Sequence, residues 1–283
     1  MAKIRRIRKI LKSQPTIEGA GVHLKRAFGY QQVPELDPFL LLDDFHSNNP
    51  DQYIKGFPWH PHRGIETITY VLYGKVEHGD SMGNKGTISS GDIQWMTAGS
   101  GIVHQEMPKG QEDGLMWGFQ LWANLPASHK MMDPRYRDIK SHQVPEITLD
   151  GGVIVKIICG QVHGVRGPVH DIVIDPEYLD IRVPLGSRFM HSVRRGHKAF
   201  AYVIEGEGHF DQGRDDMVGP EGLVIFEDGD EVAIAGKGGP VRALFVSGKP
   251  IGEPVAWHGP IVMNTQEELR IAFEEYENGT FIK

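Results

Sequence analysis

The sequence has a single cysteine, Cys159, among 283 residues. One thiol excludes a disulfide framework and any zinc or iron–sulfur site built from several thiolates of one chain. A metal bound by this chain must therefore be held by histidine and carboxylate side chains. The 14 histidines and 37 acidic residues are its available ligands.

Long hydrophobic runs are also missing. The longest, at residues 38–42 and 151–159, fall well short of the roughly 18 residues that a membrane-spanning helix requires. Residues 1–12 are basic but lack the apolar core and cleavage site of a secretory signal. We expect no membrane partner and a cytoplasmic location, with a nuclear location only if the source is eukaryotic.

An excess of basic charge is lacking as well. The chain carries 30 basic and 37 acidic side chains, a formal net charge of −7. This balance opposes nonspecific attraction to nucleic acid, so we expect no direct nucleic-acid partner. The basic run at residues 5–9 is interpreted as an edge strand whose solvated charges block aggregation.

Glycine, in contrast, is abundant. The 35 glycines and 18 prolines separate short β-branched and aromatic runs, a pattern typical of an all-β sandwich or barrel. The best predicted helix is C-terminal, where residues 265–268 have the form of a capping box. The predicted strands are 66–73, 93–96, 116–122, 153–159, 179–183, 200–204, 223–226, 231–235 and 241–247.

An internal repeat indicates two similar barrels. Residues 70–74 (YVLYG) recur as residues 202–206 (YVIEG). The next strand repeats too, because residues 91–95 (GDIQW) match residues 222–226 (GLVIF). Both halves therefore share a strand, a glycine turn and a second strand.

The stretch between the halves marks a boundary. Residues 128–145 are polar, contain Asp133-Pro134 and interrupt the strand pattern. We predict one barrel over residues 1–140 and a second, with the C-terminal helix, over residues 141–283.

Two pairs of side chains in the first half have the spacing of metal ligands. His60 and His62 are two residues apart, which places both imidazoles on one face of an extended strand, and His104 and Glu106 repeat this arrangement. If turns between the pairs return the chain, three imidazoles and one carboxylate converge.

A second carboxylate competes with Glu106. Glu66 lies four residues after His62 and shares its strand face if the strand runs unbroken, but Gly64 between them can mark a bulge or bend. Strand alternation therefore does not decide between the two glutamates.

A set of three nitrogens and one oxygen suits several divalent metals. Fe(II), Mn(II), Co(II), Ni(II), Cu(II) and Zn(II) all accept imidazole and carboxylate ligands. Four protein ligands on an octahedral ion leave two open positions, the geometry of non-heme oxygenases, whereas a closed tetrahedron indicates structural zinc.

These motifs resemble those of the cupin superfamily and, more narrowly, of the pirin family. The resemblance rests on residues 60–66 (HPHRGIE) and 91–106 (GDIQWMTAGSGIVHQE). Supporting stretches span nearly the whole chain: residues 36–45 (LDPFLLLDDF), 120–125 (QLWANL) and 258–265 (HGPIVMNT).

The resemblance implies two cupin barrels, of which the first binds one metal ion. Its ligands would be His60, His62, His104 and Glu106, and iron(II) is the metal that the family favours. By the same analogy, the carboxylate comes from Glu106 rather than from Glu66. The corresponding positions of the second half are Ser192, Arg194, Ala235 and Lys237, which cannot rebuild the set, so that barrel is predicted to be metal-free.

The resemblance also implies a function. Pirin-like proteins are associated with quercetin 2,3-dioxygenase activity, in which O₂ opens the flavonol ring with loss of carbon monoxide. Glu106 would be the catalytic proton acceptor for the flavonol 3-hydroxyl. A flat aromatic substrate and O₂ are then the expected partners of a monomer. The substrate-binding residues remain unassigned, because alternation predicts that Trp59 points away from His60.

Two other functions stay open. The first is an iron-binding interaction module with little turnover, since eukaryotic pirin is regarded as a transcriptional coregulator with a protein partner. The second is a metal-dependent isomerase or hydrolase, because cupin barrels host many reactions.

Overall fold

The computed structural model describes residues 2–283 and confirms the predicted all-β class. Turns and short 3-10 helices join the strands. Neither α-helix of this described part, α1 Val33–Leu36 nor α2 Gln266–Glu277, is long and apolar enough to cross a bilayer. In chain order the strands are β1 Ile7–Lys12, β2 Gln14–Glu18, β3 Val22–Phe28, β4 Phe39–Ser47, β5 Phe57–His62, β6 Ile65–Tyr73, β7 Lys75–Asp80, β8 Lys85–Ser89, β9 Ile93–Thr97, β10 Ile102–Lys109, β11 Met116–Asn124, β12 Arg135–Ile139, β13 Glu146–Thr148, β14 Ile154–Cys159, β15 Gln161–Val162, β16 Val165–Arg166, β17 Glu177–Val183, β18 Arg188–Ser192, β19 Lys198–Gly206, β20 Gly208–His209, β21 Met217–Val218, β22 Gly222–Phe226, β23 Glu231–Ala235, β24 Val241–Gly248, β25 Ala256–His258 and β26 Ile261–Met263.

The chain forms two compact units, each assembled from two segments. The histidine unit, named here for its paired histidine motifs, comprises residues 14–141 and 251–283, and the second unit comprises residues 2–13 and 142–250. Each unit therefore takes one segment from near an end of the described chain. The division into barrels at residue 140 stays a prediction.

The histidine unit contains two antiparallel sheets. Seven strands lie in the order β12-β9-β6-β11-β4-β3-β2, and four lie in the order β5-β10-β7-β8. Apolar side chains of both sheets, among them Val71 from the larger and Val76 from the smaller, pack into one cluster. Burial of β-branched residues between the two sheets therefore holds this unit together.

The second unit repeats this plan. Its larger sheet has the order β1-β22-β19-β24-β17-β14-β13 and its smaller sheet the order β18-β23-β20-β21. The strands that share the sequence repeat are paired in the same way, since β6 pairs with β9 and β19 with β22. The internal repeat therefore corresponds to a repeated pair of sheets.

The basic N-terminal run behaves as predicted in one respect only. Strand β1 lies at the edge of the seven-stranded sheet of the second unit. Arg5, however, is only 1% exposed, and its guanidinium donates to the carbonyls of Arg194, His197 and Glu227. The interpretation of the whole run as solvated charge is therefore wrong for Arg5, which is buried because backbone acceptors surround it.

The predicted C-terminal helix is present. Thr265 Oγ1 accepts from the Glu268 amide at 3.1 Å, and the Glu268 carboxylate accepts from the Thr265 amide at 2.8 Å, which completes the capping box. Leu269 and Ala272 on helix α2 pack on Ile261 and Phe281 within the histidine unit.

Arg63 ties this C-terminal region to the histidine motif. It follows His62 directly, is 2% exposed and stacks over the ring of Phe281 at 4.2 Å. Its guanidinium donates to the Ser100 carbonyl at 2.6 Å, to the Phe281 carbonyl at 2.8 Å and to Glu275 at 2.6 Å. One buried side chain therefore satisfies acceptors from three parts of the unit.

We expect Arg63→Met to lower the free energy of unfolding by about 3 kcal/mol, because it leaves buried acceptors without a donor. Denaturant unfolding followed by circular dichroism measures the change. The matched control is Arg270→Met, which removes an exposed guanidinium of helix α2 paired with Glu267. Equal effects of the two substitutions would contradict the stabilising role of the buried Arg63 hydrogen bonds.

Candidate metal centre

The structure brings three of the predicted ligands together. His60 and His62 occupy the end of β5, and His104 lies on β10, opposite His60 in the strand register. One ring nitrogen from each lies within 4.8 Å of the others, so the three histidines could hold a metal ion. This convergence depends on the antiparallel pairing of β5 with β10.

Backbone carbonyls select the tautomers of two of these imidazoles. His60 Nδ1 lies 2.8 Å from the Pro58 carbonyl, and His62 Nδ1 lies 3.0 Å from the Pro260 carbonyl. A carbonyl oxygen only accepts, so each Nδ1 carries a proton, and in the neutral imidazole this leaves the Nε2 lone pair available to a ligand. The two Nε2 atoms are 3.1 Å apart.

This pair of lone pairs fits a bound cation. Two unprotonated nitrogens at 3.1 Å repel each other. With metal–nitrogen bonds of about 2.0–2.1 Å, however, the separation suits two adjacent ligands of one ion. The third imidazole points to the same conclusion, because both ring nitrogens of His104 are buried without a hydrogen-bond partner in the described chain.

The pKa values of two of the three imidazoles favour the neutral form that binds a metal. Burial, together with the neighbouring imidazoles of His60 and His104, holds the pKa of His62 well below its ordinary value. Burial, with smaller contributions from His60 and His78, does the same for the pKa of His104. Both rings are therefore neutral near pH 7, the form that ligates a metal.

Glu106 lies beside this nitrogen cluster and is held by other groups. Its Oε1 accepts from Thr69 Oγ1 at 3.1 Å and its Oε2 accepts from Gln120 Nε2 at 3.0 Å. Trp122 Nε1 donates to Gln120 Oε1 at 2.9 Å, which fixes the orientation of the amide. The role of Glu106 as fourth ligand stays a prediction.

Glu66 faces away from this cluster. The strand is interrupted at Gly64, which lies between β5 and β6 with a φ of 78°. Glu66 and Thr69 are three residues apart on β6 and so point to opposite faces, and Thr69 reaches Glu106. Glu66 accepts from Thr97 Oγ1 at 2.6 Å, and burial, opposed by that hydrogen bond, raises its pKa.

A cavity of about 730 Å³ opens beside the histidines. His60, His62, Glu106 and Gln120 lie in its wall. Five aromatic side chains also line it: Tyr30, Phe57, Trp59, Trp122 and Trp257. The site therefore combines metal-ligand nitrogens with flat apolar surfaces, as the binding of an aromatic molecule requires.

Several of these contributors were not predicted from the sequence. Trp59 lines the cavity and is 52% exposed, so the expectation that it packs away from the site is wrong. Trp257 and Pro260 come from a segment that the sequence placed in the other barrel. Residues 258–265, one of the stretches that carry the family resemblance, were the available signal for Pro260.

The second unit lacks the same convergence. Within residues 2–283, no other group of three histidine, cysteine or acidic side chains has its ligand atoms as close together. His191 and His197 of this unit are buried, and His191 Nε2 contacts Glu177 Oε1 at 2.9 Å. A metal-free second barrel stays a prediction.

His104→Leu is expected to abolish metal-dependent stabilisation without destabilising the metal-free protein. The substitution removes two buried nitrogens that have no partner, so the metal-free free energy of unfolding should stay level or rise. Zinc(II) at 100 times its dissociation constant should stabilise the unchanged protein by about 2.7 kcal/mol and the variant by almost nothing.

Thermal unfolding with chelator or with zinc(II) measures both effects. His23→Leu, at an exposed position on β3, is the matched control and should respond to zinc as the unchanged protein does. Zinc-dependent stabilisation retained in His104→Leu would argue against this cluster as the metal site.

Comparison with known proteins identifies the family. The sequence model described as Pirin matches residues 21–123, and the model of the Pirin C-terminal cupin domain matches residues 178–282. A pirin-like protein of Caulobacter vibrioides is 44% identical over 279 residues, which cover 98% of this chain and 99% of the relative.

Two further proteins that resemble this chain are named for an enzymatic activity. A Pseudomonas aeruginosa protein, named only provisionally as a quercetin 2,3-dioxygenase, is 40% identical over 283 residues, covering 99% of each chain. The crystal structure of quercetin 2,3-dioxygenase from Acinetobacter baumannii matches with a TM-score of 0.90 and 30% identity, covering 99% of each chain. The predicted architecture of two cupin domains is thus confirmed, and the chain belongs to the pirin family.

Proposed function

We propose that this protein is a metal-dependent dioxygenase that opens the central ring of flavonol-like substrates with O₂ and releases carbon monoxide. The observation that carries the proposal is the cluster of His60, His62 and His104 beside a cavity with aromatic walls. The quercetin dioxygenase names of its relatives agree with this reading.

The proposed ligands are His60, His62, His104 and Glu106. Iron(II) is the expected ion, and copper, nickel, cobalt, manganese and zinc also suit these donors. The ion would supply Lewis acidity, which lowers the pKa of a coordinated hydroxyl group. A cytoplasmic location, a monomeric state, a metal-free second barrel and the domain division at residue 140 complete the proposal.

Glu106 is the proposed proton acceptor. Thr69 and Gln120 each donate one hydrogen bond to its carboxylate, one to each oxygen. Each oxygen keeps acceptor capacity, because a carboxylate offers about four lone-pair sites. Glu106 can therefore take the 3-hydroxyl proton of a flavonol while Thr69 and Gln120 keep the group in place.

The aromatic walls would orient the substrate. Trp122 lies edge-on to His62, with ring centroids 5.0 Å apart, and Trp257 lies 6.0 Å from Trp122. These rings extend the surface beside the metal ligands into the cavity. A flat flavonol against them would present its hydroxyl and carbonyl oxygens to the histidine cluster and exclude water from it.

The iron-loaded protein should consume O₂ and release one molecule of carbon monoxide per quercetin. Both atoms of O₂ then enter the opened product, and one ring carbon leaves as carbon monoxide. Oxygen-electrode and gas-phase measurements follow the two gases. Glu106→Gln should lower kcat by at least about 100-fold, because the proton acceptor is lost.

Glu66→Gln is the matched control, since Glu66 faces away from the cluster. It should retain most of the turnover. Stoichiometric metal binding without turnover of any flavonol would overturn the dioxygenase and favour a metal-dependent interaction module.

A further inference from the structure

One wall of the aromatic cavity is formed by three charged side chains, Glu18, Arg26 and Asp43, which we call the acidic wall. Arg26 donates to Asp43 through Nε at 2.8 Å and through Nη2 at 2.7 Å. Its Nη1 pairs with Glu18 at 3.0 Å. One cation and two carboxylates leave this wall with a net negative charge.

The strand register places the acidic wall at a distance from Glu106. Gln120, which donates to Glu106, stands opposite Asp43, and Asp43 stands opposite Arg26 on the next strand. Neighbouring strands are about 4.8 Å apart, so Arg26 lies about 10 Å across the sheet from Gln120. A ligand with one end at the histidine cluster could therefore reach the acidic wall with its other end.

The charges of the acidic wall determine what it accepts. Arg26 is engaged by both carboxylates, so it offers little attraction to a further anion. Glu18 is 42% exposed, and the Arg26 pair occupies only part of its acceptor capacity. The wall therefore presents acceptors to hydroxyl donors and repels negative groups.

We infer that the acidic wall is a specificity subsite, which binds neutral hydroxyl groups on the end of the aromatic substrate remote from the metal and excludes anionic substituents there. The inference rests on the proposed function, because it takes flavonol-like molecules as the occupants of the cavity. Glu18 is the residue that discriminates among them.

The test uses zinc-loaded protein under anaerobic conditions, so that binding is measured without turnover. The probes are quercetin, 3-hydroxyflavone, which keeps only the chelating hydroxyl, and a sulfonated quercetin. Quenching of tryptophan fluorescence gives each dissociation constant. Quercetin should bind about tenfold more tightly than 3-hydroxyflavone, the gain from one or two net hydrogen bonds. Sulfonated quercetin should bind more weakly than quercetin.

Two substitutions separate hydrogen bonding from charge. Glu18→Ala removes both the hydrogen-bond acceptors and the negative charge. It should reduce the preference for quercetin over 3-hydroxyflavone to about threefold or less, because one net hydrogen bond is lost. Glu18→Gln keeps one acceptor and should mainly restore binding of the sulfonated probe. Glu112→Gln, at an exposed position, makes the same change of charge as Glu18→Gln. It should alter neither the preference for quercetin over 3-hydroxyflavone nor the preference for quercetin over sulfonated quercetin.

The failures of the two hypotheses are distinguishable. If quercetin and 3-hydroxyflavone bind equally tightly, or if both Glu18 variants behave as the Glu112→Gln control, the subsite is overturned and the dioxygenase proposal stands. If neither flavonol binds to the zinc-loaded protein, the proposed function falls and the subsite falls with it.

Discussion

Two carbonyl–imidazole hydrogen bonds determine the chemistry available to this protein. The carbonyls of Pro58 and Pro260 hold the protons of His60 and His62 on Nδ1. The two Nε2 atoms lie 3.1 Å apart, a separation that suits two adjacent ligands of one ion. The proposed roles of the aromatic cavity and of Glu106 both depend on these two imidazoles being fixed in this form.

A row of polar side chains crosses one face of the larger sheet in the histidine unit. Gln94, Thr69, Gln120, Asp43 and Arg26 stand opposite one another on five adjacent strands. The middle of the row binds Glu106, and its end contributes to the acidic wall. One register therefore connects the proposed proton acceptor with the proposed specificity subsite, because all members share a face of one sheet.

Much of the histidine arrangement could be predicted from local sequence pattern. The convergence of His60, His62 and His104 could be predicted because the pairing of β5 with β10 is regular from His60 to His62, so two-residue alternation holds there. The contacts of Glu106 with Thr69 and Gln120 were not predictable, because they join a strand of the smaller sheet to two strands of the larger one, which no pattern within one strand reports. Alternation across a glycine also left Glu66 undecided, and the interruption at Gly64 turns it to the other face.

The contribution of the C-terminal segment to the site could not be predicted from local sequence pattern for another reason. Trp257 and Pro260 join the histidine unit through long-range pairing, and sequence order assigns them to the other half. No periodicity within one segment reports which unit it will complete.

The hydrogen bond from His62 to Pro260 spans 198 residues of sequence, which has a consequence for biosynthesis. Residue 260 must leave the ribosome before the imidazole acquires its acceptor, although both histidine strands emerge much earlier. Domains generally form in the order of their synthesis, but this centre takes its final shape only when most of the chain is available. If the proposed metal binds with this geometry, it does so only after most of the chain has been synthesised.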